Sequence, residues 1–363
     1  MSRGLNFIGQ FWGCLGIPNH TRSFANSLIK NLDDTNLVPL QPNHNDDKYG
    51  LTEKILTSIN KPENEYPTLC FWYPQTYRDL LKDTPKGKRI GYYIFEYTKI
   101  PESYVKEIND VLDAVCTASK WGAKVLKDNG VTIPIHVIPG GAEHEKFNSS
   151  GRNLDEKRFR FLHMGKAENR KGTETVIRAF NQAFRGNRKV RLSLFIDNPH
   201  LRDFNADMFL HNIQRDYSLE YPVTNIDIRH FEDDIVSIYN THHVAVFGSK
   251  AEGIGLPIVE AMSCGLPTIV PFNSGITEYA TDENSIRLMD LKEEPVYDMK
   301  FFPAKGEFGI WNSPTVEEML DKMVWAHENW NEARDIGNRA EEYMKTKYTW
   351  DLAAKKFLEE LIR

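Results

Sequence analysis

The 363-residue sequence lacks the features that mark secreted, membrane-embedded and zinc-binding proteins. Its four cysteines lie far apart and form no Cys-x-x-Cys pair, so neither a disulfide framework nor a zinc knuckle fits them. The first residues, MSRGLNFIGQ, do not follow the charged and then apolar pattern of a secretion signal. No apolar run approaches the length of a membrane-spanning helix. These absences predict a cytoplasmic protein with no integral membrane segment, which could still contact a membrane peripherally.

An excess of basic residues is also absent. The net charge of −6 and the isoelectric point of about 6.0 argue against a surface built to bind nucleic-acid backbones in bulk. The basic cluster KDTPKGKR, at residues 82–89, is typical of a solvated loop, with an acceptor or membrane contact as the alternative. Apolar residues at 40% and charged residues at 26% are ordinary for a globular protein, and the length predicts two domains.

Short apolar runs alternate with helical patterns along most of the chain. This alternation predicts an α/β protein with parallel sheets that are covered on both faces. A polar, glycine-containing stretch at 145–158 interrupts the alternation and is the best candidate for a linker. We therefore expect a first domain at 1–150 and a second at 151–345. The last residues, 346–363, have the pattern of an amphipathic helix that is expected to pack back toward the first domain.

The stretch AEGIGLPIVEAMSCGLPTIV places Glu252 and Glu260 on either side of a glycine-rich turn. Pro257 fits the first turn of a short helix, and Gly253 and Gly255 leave backbone N–H groups exposed at the positive end of the helix dipole. Such a helix start binds anions, whereas carboxylates beside it are suited to accept hydrogen bonds from sugar or ribose hydroxyls. A nucleotide-activated sugar is a ligand that offers both hydroxyls and phosphates.

The same stretch resembles the signature of family 4 retaining glycosyltransferases, including its two glutamates separated by seven residues. The resemblance implies the GT-B fold, in which two Rossmann-like, doubly wound parallel-sheet domains face each other across a cleft and the C-terminal helix crosses back. It implies that Glu252 contacts hydroxyls of the donor sugar and that Glu260 contacts the ribose of the nucleotide. The donor-binding backbone would be that of Gly253, Ile254, Gly255 and Leu256.

A second loop, within HMGKAENRKGTETVIRAF, supplies positive charge for the departing diphosphate, which becomes more negative as the glycosidic bond breaks. The resemblance implies that Lys171, at the start of a helix, binds the diphosphate together with Lys166. Arginine is usual in the family where Lys166 stands, and lysine keeps the charge without the two-pronged geometry, so Arg170 is the candidate to compensate. Glu252, Lys171 and Lys166 are the predicted catalytic residues. The sequence has no Asp-x-Asp motif, and we expect neither a metal nor a cofactor beyond the sugar donor.

Four further residues are predicted around the substrates. Gly16, in the loop WGCLGIPNHTRS, is expected to approach the donor as the glycine-rich loop of the family does. His230 ends the run IDIRH, where members of the family surround the nucleobase. Glu96, in IGYYIFEYTKIPESY, and His20 are the candidates on the acceptor side.

These features predict a retaining hexosyltransferase that moves a sugar from a UDP- or GDP-sugar to a hydroxyl group. The acceptor could be a saccharide, a lipid-linked sugar, a protein or a modified nucleic acid, and the oligomeric state is left open. One alternative is a catalytically silent module that binds nucleotide sugars and acts with a partner. Another is a different enzyme of the same fold, an epimerase or a phosphorylase, although a phosphorylase would need a lysine for pyridoxal phosphate and a much longer chain.

Overall fold

The computed structural model describes residues 4–13, 15–40, 55, 57–59, 65–154, 157–198, 204–217, 219, 226–229 and 234–362. The chain divides into two compact units, one made of Met1–Gly141 with Lys347–Arg363 and the other of Ala142–Thr346. The second unit begins before the boundary expected at 150, because the segment ahead of that point is bonded into it. Asn240 Nδ2 donates to the carbonyl oxygen of Asn148 over 3.0 Å, and the backbone N–H of Ser149 donates to a carboxylate oxygen of Glu341 over 3.0 Å.

The first unit is built on a sheet of six parallel strands. The strands are β1 (Gly4–Gly9), β2 (Asp34–Pro39), β3 (Thr68–Phe71), β4 (Arg89–Tyr92), β5 (Ala114–Thr117) and β6 (Ile135–Val137). Its helices are α1 (Gly16–Ile29), α2 (Tyr77–Leu81), α3 (Glu102–Val111), α4 (Lys120–Asp128) and, from the end of the chain, α11 (Trp350–Leu361). The strand order is β2-β1-β3-β4-β5-β6, so the chain reverses its direction of winding between β1 and β3.

The second unit is also built on a sheet of six parallel strands. Its strands are β7 (Phe159–Met164), β8 (Val190–Phe195), β9 (Ile226–Arg229), β10 (Val244–Val246), β11 (Thr268–Pro271), β12 (Ile286–Leu288), β13 (Leu291–Pro295) and β14 (Ile310–Pro314). Its helices are α5 (Thr173–Ala183), α6 (Ala206–Asp216), α7 (Ile235–Asn240), α8 (Leu256–Ser263), α9 (Val316–Glu328) and α10 (Trp330–Lys347). Six parallel strands lie in the order β12-β11-β10-β7-β8-β9, and β13 and β14 form a separate antiparallel pair.

The central strands of both sheets are apolar and buried because helices cover both faces of a doubly wound sheet. This confirms the predicted α/β class. The order of the second sheet also fixes where its loops meet. Since β7 pairs directly with β10, the loops that follow these two strands emerge side by side at the carboxyl edge, where open parallel sheets bind their ligands.

The C-terminal helix α11 belongs to the first unit although the second unit precedes it in the sequence. The ring of Phe357 on α11 lies 5.6 Å from that of Phe24 on α1, and Trp350 lies 4.7 Å from the ring of His20. Thr349 caps the start of α11 by accepting a hydrogen bond from the backbone N–H of Leu352. No helix within the described ranges has the length and apolar character required to cross a bilayer.

Candidate active site

Glu252 lies at the centre of a buried group of charges between the loops that follow β7 and β10. Its side chain is enclosed, with the residue only 4% exposed. Carboxylate oxygen Oε1 accepts hydrogen bonds from Lys171 Nζ over 2.6 Å and from Ser249 Oγ over 2.7 Å. Oxygen Oε2 accepts from a guanidinium nitrogen of Arg170 over 2.9 Å. The structure therefore brings three of the predicted site residues into direct contact.

These contacts set the charge of the site. Burial by itself would raise the pKa of Glu252, but the charges of Lys171 and Arg170, with the hydrogen bonds from Lys171 and Ser249, outweigh it and lower the pKa to about 2. Burial lowers the pKa of Lys171, and the charge of Glu252 opposes that shift. Glu252 is consequently a carboxylate at neutral pH, buried between two cations.

Two glycines allow the loops to approach this closely. Gly172 begins α5 in the left-handed conformation, with φ of 61°. A Cβ atom on Gly172 would lie 2.0 Å from the carbonyl oxygen of Gly248, so any larger residue would push the two loops apart. This contact keeps Lys171, directly before Gly172, within reach of Glu252.

Glu168 is a second carboxylate in the group, and the sequence did not identify it. Its oxygen Oε1 lies 2.6 Å from Lys166 Nζ, and its oxygen Oε2 lies 3.1 Å from a guanidinium nitrogen of Arg170. Burial would raise the pKa of Glu168, but the charges of Arg170 and Lys166 together lower it. The predicted Lys166 thus joins the group through Glu168. The position of Glu168 between Lys166 and Arg170 in the sequence KAENRK is the feature that could have identified it.

Helix α8 begins where the glycine-rich turn ends, as predicted. Gly255 precedes it with φ of 83°, Pro257 stands in its first turn, and Gly265 follows its end with φ of 68°. The backbone of Gly253 through Leu256 therefore leads into the N-terminus of α8, the positive end of its dipole. An anionic group would be stabilised at this point.

Glu260, on α8, is half-buried and faces a tyrosine rather than a cation. Its oxygen Oε2 accepts a hydrogen bond from the hydroxyl of Tyr239 over 2.7 Å. Burial raises the pKa of Glu260 to about 7, against the lowering effects of the Tyr239 hydrogen bond and the charge of Lys146. The two glutamates of the motif therefore differ: one is firmly ionised, and the other titrates near neutral pH.

A family model described as "Family 4 Glycosyltransferase in conflict systems" matches residues 118–357, more than half of the chain and all of the site. The chain belongs to this glycosyltransferase family. Mannosylfructose-phosphate synthase of Agrobacterium fabrum is 25% identical over 151 residues, which are 39% of this chain and 33% of that enzyme. The match therefore spans only about a third of the length of the curated relative.

Solved structures share the fold of this family 4 chain at low sequence identity. Sucrose-phosphate synthase from Thermosynechococcus elongatus superposes with a TM-score of 0.71 at 14% identity, over 98% of each chain. Anabaena HepE in complex with UDP-glucose gives 0.69 at 14% identity, over 99% of each chain. TarM gives 0.63 at 14% identity, over 81% of this chain and 54% of its own. The fold is therefore GT-B, as the resemblance implied.

The remaining predicted residues of the family 4 chain belong to the first unit or fall outside the described residues. Gly16, the exposed first residue of α1, and the half-buried Glu96 belong to the first unit. His20 also belongs there, is 2% exposed, and is enclosed by aromatic rings, with that of Phe71 at 4.6 Å. This burial does not favour a contact with an acceptor, which stays a prediction. His230 lies outside the described residues.

The described part of the family 4 chain contains no group of three or more His, Cys, Asp or Glu side chains arranged to hold a metal ion.

The segment between β13 and β14 braces the loop that carries Lys166, Arg170 and Lys171. Asp298 in this segment accepts from the backbone N–H of Asn169 over 2.9 Å, and Asn169 Nδ2 donates to the carbonyl oxygen of Tyr297 over 2.7 Å. Lys250 connects Asn169 to strand β13, with Nζ 2.8 Å from Asn169 Oδ1 and 2.6 Å from Glu294 Oε1.

Proposed function

We propose that this protein transfers a sugar from a nucleoside-diphosphate sugar to a hydroxyl acceptor, with retention of anomeric configuration and without a metal ion. The observation that carries the proposal is the buried contact of Glu252 with Lys171 and Arg170, beside the N-terminus of α8. Burying a carboxylate beside two cations contributes little to folding, because the cost of desolvation offsets the attraction between the charges, so stability alone does not explain this group. Sugar hydroxyls and a diphosphate are the ligand groups that match this set of charges.

Glu252 is proposed to accept hydrogen bonds from hydroxyls of the donor sugar. A carboxylate offers about four lone-pair sites. Lys171, Ser249 and Arg170 use three of them, which leaves capacity for a sugar hydroxyl. Lys171 has three N–H donors, so it can contact a phosphate oxygen while it remains paired with Glu252.

The chemical step is proposed as an attack on the face of the sugar from which the diphosphate departs. The acceptor oxygen forms a bond to the anomeric carbon as the bond from that carbon to the phosphate oxygen breaks. The electron pair of the broken bond stays on the diphosphate, and the acceptor hydroxyl's proton passes to a phosphate oxygen. Lys171, Arg170, Lys166 and the start of α8 stabilise the charge that develops on the leaving group.

Metal independence is proposed because the protein itself brings this positive charge. Lys166, Arg170 and Lys171 all contact the two carboxylates of this group, and we assign to these three cations the stabilisation of the negative charge on the diphosphate. Anabaena HepE, which shares the fold, has been solved with UDP-glucose, and this supports UDP-sugars as the first donors to test. The acceptor is proposed only as a hydroxyl group.

The test is release of nucleoside diphosphate from UDP- and GDP-sugars by the full chain, with saccharide, lipid-linked, protein and nucleic-acid acceptors. We expect turnover with at least one pair of substrates, unchanged by EDTA, and a product whose anomeric configuration by NMR matches that of the donor. Tight binding of a nucleoside diphosphate without release in any mixture would instead indicate a silent binding module. Loss of turnover in EDTA, restored by a divalent ion, would overturn metal independence, and an inverted product would overturn retention.

A further inference from the structure

A segment that follows β11 is hydrogen-bonded to the backbone around Glu252. The hydroxyl of Ser274 accepts a hydrogen bond from the backbone N–H of Glu252 over 2.7 Å. The N–H of Gly275 donates to the carbonyl oxygen of Glu252 over 2.8 Å. The hydroxyl of Tyr279 donates to the carbonyl oxygen of Ile254 over 2.7 Å. Three bonds from one short segment therefore hold the turn that leads from Glu252 into α8.

Ser274 adopts a backbone conformation that serine rarely takes. Its φ is 45°, and it is the one residue other than glycine with positive φ in the described part of the chain. The left-handed region costs free energy for a residue with a Cβ atom, and such strain persists only where the surroundings enforce it. Glycine would remove the strain but would also remove the hydroxyl that bonds Glu252.

Asn273 holds this strained residue in place. Its oxygen Oδ1 accepts from Ser274 Oγ over 2.8 Å. Its nitrogen Nδ2 lies 3.1 Å, 3.0 Å and 2.8 Å from the carbonyl oxygens of Ser249, Lys250 and Asn312. Asn273 is 5% exposed and thus joins the loop after β10 to strand β14. The Ser274 hydroxyl is therefore oriented by two partners: it donates to Asn273 Oδ1 and accepts from the backbone N–H of Glu252.

The segment that contains Ser274 and Gly275 packs directly against the backbone of Gly253. A Cβ atom on Gly275 would lie 2.2 Å from the carbonyl oxygen of Gly253, so the two backbones touch. The carboxylate of Glu252 is meanwhile fixed from the other side by Lys171 and Arg170. Main chain and side chain of Glu252 are thus held by different elements, and neither alone determines where the carboxylate oxygens stand.

We propose that Asn273, Ser274, Gly275 and Tyr279 form a clamp that positions Glu252 for transfer, and that Ser274 is its positioning residue. The proposal rests on the proposed role of Glu252 in binding the donor. Strain at Ser274 is maintained because the hydroxyl must reach the N–H of Glu252 from a backbone that passes against Gly253. A displacement of a reacting group by about 1 Å is enough to lower a rate about 100-fold.

Two substitutions separate positioning from stability. Ser274→Ala removes the hydrogen bond and keeps the strain, whereas Ser274→Gly removes both. We expect both variants to lose about 10- to 100-fold in kcat for nucleoside diphosphate release, with donor KM changed much less. We expect the glycine variant to be the more stable of the two. A purely structural role predicts instead that activity follows stability, with Ser274→Gly as active as the wild type, and that result would overturn the proposal.

Hydrogen exchange supplies a readout that does not depend on turnover. Peptides that cover residues 249–256 should exchange faster in both variants, because the N–H of Glu252 loses its acceptor. Ser285→Ala is the matched control, since it also removes a buried serine hydroxyl, which donates to the carbonyl oxygen of Thr281 over 2.7 Å. Unchanged exchange at 249–256 in both Ser274 variants would rule out the clamp. If the wild type released no diphosphate from any donor, the proposed function would fail, and the exchange data alone would decide the clamp.

Discussion

Both units have buried cations in the segment that follows the strand where the sheet changes its direction of winding, but the partners of these cations differ. In the first unit, Arg22 on α1 donates to the backbone carbonyl oxygens of Phe11 and Gly13, each over 2.7 Å. In the second unit, Arg170 and Lys171 donate to carboxylate oxygens of Glu252 over 2.9 Å and 2.6 Å.

The difference indicates what each charge is for. Carbonyl oxygens of a folded loop are fixed, so Nη1 of Arg22 holds the shape of the glycine-rich loop, while Nη2 donates to the side-chain oxygen of Asn19. A carboxylate can keep its cations and still accept hydrogen bonds from a ligand hydroxyl. Under the proposed function, the charges of the second unit therefore serve the nucleotide sugar, whereas that of Arg22 serves the fold of its own loop.

The largest effect is expected from Glu252→Gln. The amide keeps the shape of the side chain, but Arg170 and Lys171 then face a neutral group while they remain buried. We expect transfer to fall by about 100- to 1,000-fold, by analogy with the loss of one oriented group in a preorganised site. Stability should fall by about 3–5 kcal/mol, as when a buried ion pair loses one partner. Steady-state kinetics and urea denaturation measure the two effects.

Glu174→Gln is the control for that experiment. Glu174 pairs with Arg178 over 3.2 Å on the surface of α5, and its side chain is 38% exposed. An exposed pair of this kind contributes about 0–1 kcal/mol, so both stability and transfer should remain close to those of the wild type. Equal losses in the two variants would mean that the charges at Glu252 serve only the fold, and the contrast between the units would disappear.

The sequence was sufficient to predict the local structure around Glu252 and Lys171, because each lies in a short contiguous motif shaped by glycine and proline, whereas their catalytic roles stay a prediction. Alternating apolar runs were likewise sufficient to predict parallel sheets. Tyr239 could not be predicted in the same way, since it reaches Glu260 from a different helix, 21 residues away in sequence. Ser274 was also beyond prediction as a positioning residue, because only the folded backbone reveals its positive φ. Tertiary contacts of this kind depend on strand order, which periodicity does not encode.

A smaller effect is expected from Asp298→Ala. The substitution removes the acceptor for the backbone N–H of Asn169 and leaves the loop with Lys166, Arg170 and Lys171 less well held. We expect affinity for UDP to fall about tenfold, equivalent to about 1.4 kcal/mol, by titration calorimetry. Asp290→Ala is the control, because Asp290 accepts from the Thr315 hydroxyl over 2.9 Å at the base of the same hairpin. Equal affinities in both variants would mean that the bond from Asn169 to Asp298 does not hold this loop for UDP binding.

The pH dependence of donor binding should distinguish the two glutamates. Glu252, with a pKa of about 2, keeps its charge across the neutral range, whereas Glu260 titrates near pH 7. If ribose hydroxyls donate to the Glu260 carboxylate, affinity for UDP should rise by up to about tenfold between pH 6 and pH 8. Glu260→Gln should flatten that rise, and it also serves as the control for titration of the UDP phosphates. Identical pH profiles for wild type and variant would show that the charge of Glu260 does not take part.

The free energy of unfolding should also change as Glu260 titrates. It should fall as the pH rises, whereas affinity for UDP should increase. The pKa of Glu260 is about 7 in the folded protein against 4.5 in the unfolded chain, so between these values the folded state binds more protons. The contribution of Glu260 to stability is therefore present below about pH 4.5 and is lost as the pH rises toward 7. The difference in urea stability between wild type and Glu260→Gln should fall over this window and then stay constant.

The smallest effect on transfer is expected in the first unit, from His20→Phe. Neither ring nitrogen of His20 has a hydrogen-bond partner among the described residues, and aromatic rings surround the side chain. Phenylalanine fits such a place and removes two buried polar atoms, so we expect stability to rise by about 1–2 kcal/mol. Turnover with any acceptor should not change. A clear fall in acceptor-dependent turnover would return His20 to the acceptor site.

The pH dependence of this gain checks its cause. Burial lowers the pKa of His20 to about 3, against 6.5 in the unfolded chain, so between these values the folded protein binds fewer protons. Wild-type stability therefore falls as the pH drops below about 6.5, by at most about 1.4 kcal/mol per pH unit for this group, and phenylalanine abolishes that loss. The advantage of His20→Phe should thus widen from pH 7 to pH 4. A constant advantage would mean that His20 is not held neutral in its aromatic surroundings, and Arg22 would then not be the one buried charge that this comparison assigns to the first unit.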